Sequence, residues 1–272
     1  MREELDVIPA RVAALHASAC TKRQWRPLCE VLGREYDVML PELGGYESIS
    51  LPIRSGGPGL ARRAAPVIEA IEGHGQPIHL VGHSFGGAVA IKIALMRPDL
   101  VRSLTVYEPA VFGLVRDSSS EADRRCFRRF QAVGSRLTAA VATGAPDVGM
   151  QHFMDFWNGA GAWAALAPGQ KAGFSGRAAS VMRDFIDGAY EQAALADLRR
   201  LTMRTLILSG TRSPEIARRI CHRLARTIPN AAHEVLSGAG HMAPVTEAGR
   251  VNARIASHLG TMTRHVETRY AA

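Results

Sequence analysis

Gly82-His83-Ser84-Phe85-Gly86-Gly87 constrains this chain more than any other segment. A short apolar run, Pro77-Ile78-His79-Leu80-Val81, leads into it, and a helix-forming run, Ala88-Val89-Ala90-Ile91-Lys92-Ile93-Ala94-Leu95, leads out. The pattern predicts a strand, an abrupt corner and a helix. Glycine two residues before and two after the serine removes a Cβ where neighbouring backbone would collide. Ser84 then stands exposed at the apex, at the start of a helix whose dipole favours developing negative charge.

The flanking sequence extends this corner into a sheet. Short apolar runs alternate with amphipathic segments, the signature of βαβ units and an α/β fold with a mostly parallel sheet flanked by helices. Strands are predicted over 11–15, 36–40, 77–81, 103–107, 205–208 and 234–236. Helices are predicted over 24–32, 60–72 (with an interruption near Pro66), from the corner to Met96, and over 214–227 and 244–259. The Gly- and Pro-rich stretch 51–59 reads as a loop, and the tail after Gly260 as loosely held. From 117 to 201 the pattern is helical throughout: a helix from Ser120 to Val141, a second from Pro146 and a third from Pro168 carrying Phe174, Ala178, Val181 and Phe185. Residues 1–116 and 202–272 are therefore expected to form the α/β core, and 117–201 an inserted all-helical lid over the sheet's carboxyl edge.

Composition narrows the partners. The 272 residues carry a net charge of +8. The arginines are spread along the chain opposite apolar stripes, lysine is nearly absent, and no basic block is interleaved with aromatics, so nucleic acid is not expected as a partner. Cys20, Cys29, Cys126 and Cys221 show no metal or redox spacing and read as reduced thiols in a cytoplasmic protein. His79 and His83 share no helical face, so no metal is expected. No apolar stretch is long enough for a membrane span, and no signal-peptide core is present at the N-terminus. The oligomeric state stays open, with a homodimer as one option.

A serine hydroxyl needs a base before it becomes a nucleophile. His241, in the Gly-flanked loop Ser237-Gly238-Ala239-Gly240-His241-Met242 after the last strand, is the candidate. An acid should orient its ring. The loop after strand 205–208 reads Gly210-Thr211-Arg212-Ser213-Pro214-Glu215, with serine where an aspartate would be expected. The favoured acid is therefore Glu108, at the end of the preceding strand, with Glu215 the weaker alternative. Oxyanion donors are expected from the backbone N–H of Phe85, directly after the serine, and of Ser18, in the loop His16-Ala17-Ser18-Ala19-Cys20. Cys20 reads as a bystander thiol. Phe153, Trp157 and Trp163 are the candidates for an apolar pocket, with Phe156 and Phe174 nearby in the same segment.

These residues resemble the α/β-hydrolase superfamily, from about Val12 to Arg116 and again from Met203 to Leu259. His16-Ala17-Ser18 resembles its His-Gly-X oxyanion segment, and Pro41-Glu42-Leu43-Gly44-Gly45-Tyr46 its Pro-Asp-Leu-x-Gly-x turn. Gly82 to Gly87 is similar to its nucleophile elbow, and Gly238 to Pro244 to its histidine loop. Ala17 departs from a common glycine, and the post-strand aspartate is missing. Some members place their acid after the strand following the nucleophile helix, which suits Glu108. The resemblance implies a serine hydrolase with a helical lid; no cofactor is expected, and with the candidate aromatic pocket the reading is hydrolysis of an ester or lactone of an apolar or aromatic small molecule. A carbon–carbon bond hydrolase of ring-cleavage products and a cofactor-free perhydrolase (haloperoxidase) are alternatives with the same triad. A ligand-binding protein that has lost turnover is the alternative of a different class. Aspartate-nucleophile relatives are disfavoured by the serine at 84.

Overall fold

The computed structural model describes residues 9–44, 59–192 and 194–270, with the backbone alone over 261–270. Gly45 and Tyr46 of the early turn, and 51–58 of the expected loop, lie outside the described residues. The described strands are β1 (Ala10–Leu15), β2 (Tyr36–Met39), β3 (Ile78–His83), β4 (Val101–Tyr107), β5 (Arg204–Gly210) and β6 (Ala231–Leu236). They form one sheet in the order β2-β1-β3-β4-β5-β6, and every pairing is parallel. Each strand's carboxyl end therefore opens on the same edge, and the order reverses between β1 and β3, where such sheets form a crevice.

Alternation along the strands supplies both faces of the core. Ala13 and Leu15 of β1, Leu80 of β3 and Ile207 of β5 enter one apolar layer. Their neighbours Val12, Ala14, Val81, Leu206 and Leu208 enter the layer on the other face. The first layer is roofed by α2 (Leu60–Glu72), α3 (Phe85–Met96) and α10 (Glu215–Thr227), and the second by α1 (Arg26–Leu32) and α12 (Ala248–Tyr270). Between β4 and β5 the chain is helical, through α4 (Gly113–Arg116), α5 (Glu121–Ala142), α6 (Pro146–Asn158), α7 (Pro168–Ser175), α8 (Ala178–Tyr190) and α9 (Leu195–Leu198). A one-turn helix, α11 (Ala243–Thr246), follows the His241 loop.

Several elements differ from the sequence reading, and the predicted helix 244–259 is itself divided into α11 and α12. The helix predicted from Pro168 through Phe185 is two helices, because Gly173 and Gly176 weaken the ladder where α7 ends. Pro66 does not interrupt α2, which is continuous. The forfeited backbone bond costs on the order of 3 kcal/mol, offset by burial of Leu60, Ala64, Val67, Ile68 and Ile71 on the same helix. The closing helix passes Gly260 and runs to Tyr270 instead of ending in a loose tail.

Candidate active site

β3 ends at His83 and α3 begins at Phe85, so the chain turns within one residue. Ser84 takes φ +52° and ψ −115°. Among the described residues the non-glycine positions with positive φ are Ala19 (+62°), Ser84 and Glu108 (+43°), and all three follow strand ends at the carboxyl edge. Such a conformation costs roughly 1–3 kcal/mol, so the surroundings must hold it. The Ser84 N–H donates to the Tyr107 carbonyl at 3.0 Å, and the Ser84 carbonyl accepts from the N–H groups of Ala88 and Ala110 at 3.0 and 2.9 Å. The corner is closely packed: a Cβ on Gly82 would meet the Gly86 oxygen at 2.6 Å, and one on Gly86 the carbonyl oxygens of Leu15 and His16 at 2.4 Å.

β4 pairs with β3 in the register His83 to Tyr107, and with β5 in the register Tyr107 to Leu208. Glu108 is thereby the next residue along, beside Ser84. Its N–H donates to the Leu208 carbonyl at 3.0 Å. Its Oε1 accepts from the Gly210 N–H at 2.7 Å, and its Oε2 lies 2.7 Å from His241 Nδ1. Nε2 of the same ring lies 3.1 Å from Ser84 Oγ. The three side chains are buried. Two bonds hold the histidine loop itself: His83 Nε2 to the His241 carbonyl at 2.9 Å, and the Tyr107 hydroxyl to the Gly240 carbonyl at 2.7 Å. Burial, and then the nearby His241, push the His83 pKa well down, which suits a neutral imidazole donating to a carbonyl. The loop after β5 supplies no carboxylate to His241. Ser213 is buried but carries no carboxylate. Glu215, at the start of α10, is exposed and accepts from Arg219 Nε at 2.7 Å.

Ser18 and the corner share two cavities. A small one of about 20 Å³ is lined by Ser18, Ser84 and Phe85 together with Phe112, Phe153 and Trp157. A larger one of about 360 Å³ is lined by Ser18, Ser84 and His241, with Phe153, Trp157 and Phe174 among its apolar walls. The Phe85 amide occupies the first position of α3, where no intrahelical carbonyl is within reach of it. Trp163, one of the expected pocket residues, lines neither cavity. It packs instead with Leu137, Met150 and Val181 in an apolar cluster drawn mostly from the helical segment and joined by Ala19, and its amide is held by Asp155. Phe174 takes a wall position in its place. Cys20 also lines the larger cavity, and burial pushes its thiol up to about 12, which keeps it protonated and unreactive.

Sequence reasoning missed one charged network. The Ser18 hydroxyl donates to Asp184 Oδ2 at 2.8 Å, and Asp184 Oδ1 lies 3.0 Å from Arg63. Arg63 donates in turn to Asp187 at 2.8 Å and to the Gly44 carbonyl at 3.0 Å. Arg63 and Asp184 are almost fully enclosed, so the network ties the loop after β1 to α2 and α8 inside the protein. Its signal was present: a charged residue inside the apolar stripe of α2, and two carboxylates three residues apart beside Phe185.

The arrangement can move a proton. A carboxylate only accepts, so Nδ1 carries the ring hydrogen and Nε2 presents a lone pair to the Ser84 hydroxyl. Withdrawing that proton leaves an imidazolium beside Glu108. Among the described residues no cluster of three metal-ligating side chains occurs, and no helix is long and apolar enough to cross a membrane.

Known proteins share parts of this pattern. A segment of 113 residues is 35% identical to the lipase LipV of Mycobacterium tuberculosis, covering 38% of each chain. Over 259 residues the chain is 27% identical to the polyketide synthase ThaQ of Burkholderia thailandensis, covering 91% of this chain and 12% of that one. The chain thus matches well under half the length of either relative. The structure of MenH from S. aureus superposes with a TM-score of 0.74 at 16% identity, covering 95% of this chain and 96% of that one, a likeness of fold. The alpha/beta hydrolase family model matches residues 12–254, nearly the whole chain, and the protein belongs to that family.

Proposed function

We propose that this protein is a serine hydrolase that cleaves a carboxylic ester or lactone of an apolar small molecule through an acyl-enzyme. The observation that carries the reading is the unbroken relay from Ser84 Oγ through the His241 ring to Glu108, with contacts of 3.1 and 2.7 Å. Ser84 attacks the carbonyl as His241 Nε2 takes its proton, and Glu108 steadies the imidazolium. The N–H groups of Phe85 and Ser18 stabilise the oxyanion. His241 returns the proton to the departing alcohol, then activates the water that releases the acyl group. The helical segment 117–201 acts as a lid, since Phe153, Trp157 and Phe174 close the cavity above Ser84. LipV, the M. tuberculosis relative, is named a lipase, which is in keeping with ester chemistry.

A fluorophosphonate probe tests the nucleophile. The wild type should be labelled and Ser84→Ala should not; an unlabelled wild type would leave a binding protein as the reading. A substrate panel of aryl esters, lactones and vinylogous diketones then tests the bond. Esters or lactones should turn over fastest, and selective cleavage of the diketones would assign carbon–carbon hydrolysis instead.

A further inference from the structure

The cavity of about 360 Å³ beside Ser84 is apolar over most of its wall but one-sided in its charge. Among the described residues its charged lining side chains are Arg23 and Arg177, and neither Asp nor Glu lines it. Arg177, immediately before α8, is half-buried, and its described hydrogen bond runs from Nη1 to the Ala19 carbonyl at 3.1 Å. That bond fixes the guanidinium and leaves its other donors without a partner among the described residues. No described carboxylate pairs with it, whereas Arg63, the enclosed guanidinium nearby, is matched by Asp184 and Asp187. Glu42, next to the same loop, is engaged by His16 and by the Lys22 N–H. The Gln24 side chain adds a second unspent donor. Its Oε1 accepts from the Ala17 N–H at 3.1 Å, which orients the amide, and its buried nitrogen has no acceptor among the described residues.

A half-buried cation with no counter-ion among the described residues, in the same cavity wall as a buried amide donor without an acceptor there, favours an arriving anion. A planar monoanion suits it, because a guanidinium donates in parallel to both oxygens of a carboxylate. We infer that the preferred substrate carries a carboxylate at the end remote from the scissile carbonyl, seated on Arg177, with an apolar chain or ring spanning the cavity to Ser84. The class is the half-ester of a dicarboxylic acid, or an ester or lactone that carries a second, free carboxylate. The hydrolytic part of this inference rests on the proposed function; the anion seat stands on its own geometry.

Two measurements test it separately. The first compares 4-nitrophenyl esters of dicarboxylic acids, from succinate to sebacate, with the same esters methylated at the free carboxyl. At the chain length that fits, the wild type should prefer the anionic ester by about tenfold in kcat/KM, the effect of one charge-assisted contact. The preference should appear in KM. Arg177→Gln should erase the preference, and Arg177→Lys should keep part of it. The second measures, by calorimetry on Ser84→Ala, binding of the monomethyl dicarboxylates against their dimethyl counterparts, with and without Arg177→Gln. Binding that needs the free carboxylate and needs Arg177 supports the seat. Charge-selective binding without turnover of any ester overturns the ester reading and leaves the seat standing. Equal handling of charged and neutral ligands in both assays overturns the seat. So does a preference that survives Arg177→Gln, or an equal loss on both ester series in that variant.

Discussion

The indole of Trp157 stacks on the imidazole of His241, with ring centroids 4.1 Å apart and planes inclined by 25°. Trp157 comes from α6 in the helical segment, and His241 from the loop after the last strand. A single side chain therefore holds the face of the proposed base, and it is itself held by Phe112, Phe130, Phe153 and Phe156. Trp157→Ala should cost about 3–5 kcal/mol of stability, as large-to-small changes in packed sites do. It should also lower kcat well below that of Trp157→Phe, which keeps a ring against the imidazole. Thermal melts and aryl-ester kinetics on folded protein check both; a folded Trp157→Ala with unchanged kcat would remove the positioning role.

Glu108→Gln separates charge from packing. The amide oxygen can still accept from the Gly210 N–H, so the strained end of β4 should survive and the melting temperature should change little. The amide NH₂ would then face His241 Nδ1 and favour the wrong tautomer. Turnover should fall by about 10³–10⁴-fold, as when a triad carboxylate is neutralised. Glu215→Gln should leave activity near wild type, because that side chain is exposed and paired with Arg219.

Asp184→Ala removes the acceptor of the Ser18 hydroxyl and one of the two carboxylates facing Arg63. Breaking one arm of an enclosed ionic network should cost about 3 kcal/mol. The loop bearing the Ser18 N–H loses one of its ties to α8, so kcat should fall while fluorophosphonate labelling of Ser84 persists more slowly. Asp184→Asn, which keeps a hydrogen-bond acceptor, should retain more of both. Stability and labelling rate measured on the pair decide this.

Acid should unfold the protein in part through two histidines far from Ser84, in addition to His83 beside it. Burial lowers His79 from 6.5 to about 3 and His258 from 6.5 to about 4. Their Nδ1 atoms contact Ser103 Oγ at 2.7 Å and Thr105 Oγ1 at 2.8 Å. The native state refuses protons that the unfolded chain accepts below 6.5. Stability is therefore intact above that value and declines as pH falls toward about 4. Each group contributes a slope of about 1.4 kcal/mol per pH unit. Melting temperatures from pH 7 to 5 should drop steeply in the wild type, and the slope should flatten in the double variant His79→Gln, His258→Gln. An unchanged slope would place the acid sensitivity elsewhere.

The acid was legible only in part. Glu108 could be favoured because the loop after β5 offered Ser213 in place of a carboxylate, yet its contact with His241 depends on β4 and β5 being neighbours in a set register. The aromatics of the helical segment were less legible still. Phe153, Trp157, Trp163 and Phe174 look alike in sequence, and which of them face Ser84 depends on how the helices pack. That is why Trp163 turned inward and Phe174 outward to the cavity. The Ser18–Asp184–Arg63 network escaped because its members come from three elements and pair only after those elements meet.

What the chain alone determined is local: the glycine spacing that forces the Ser84 corner, and the alternation that makes β3 and its neighbours two-faced strands. Those depend on sterics and periodicity within a few residues. What only the tertiary structure decided is which distant groups meet: His241 meeting Ser84 across 157 positions and Glu108 across 133, and Arg177 lining a cavity that no described carboxylate lines. Strand order, register and helix packing set those meetings, and they follow from burial of the whole core, which no single segment encodes.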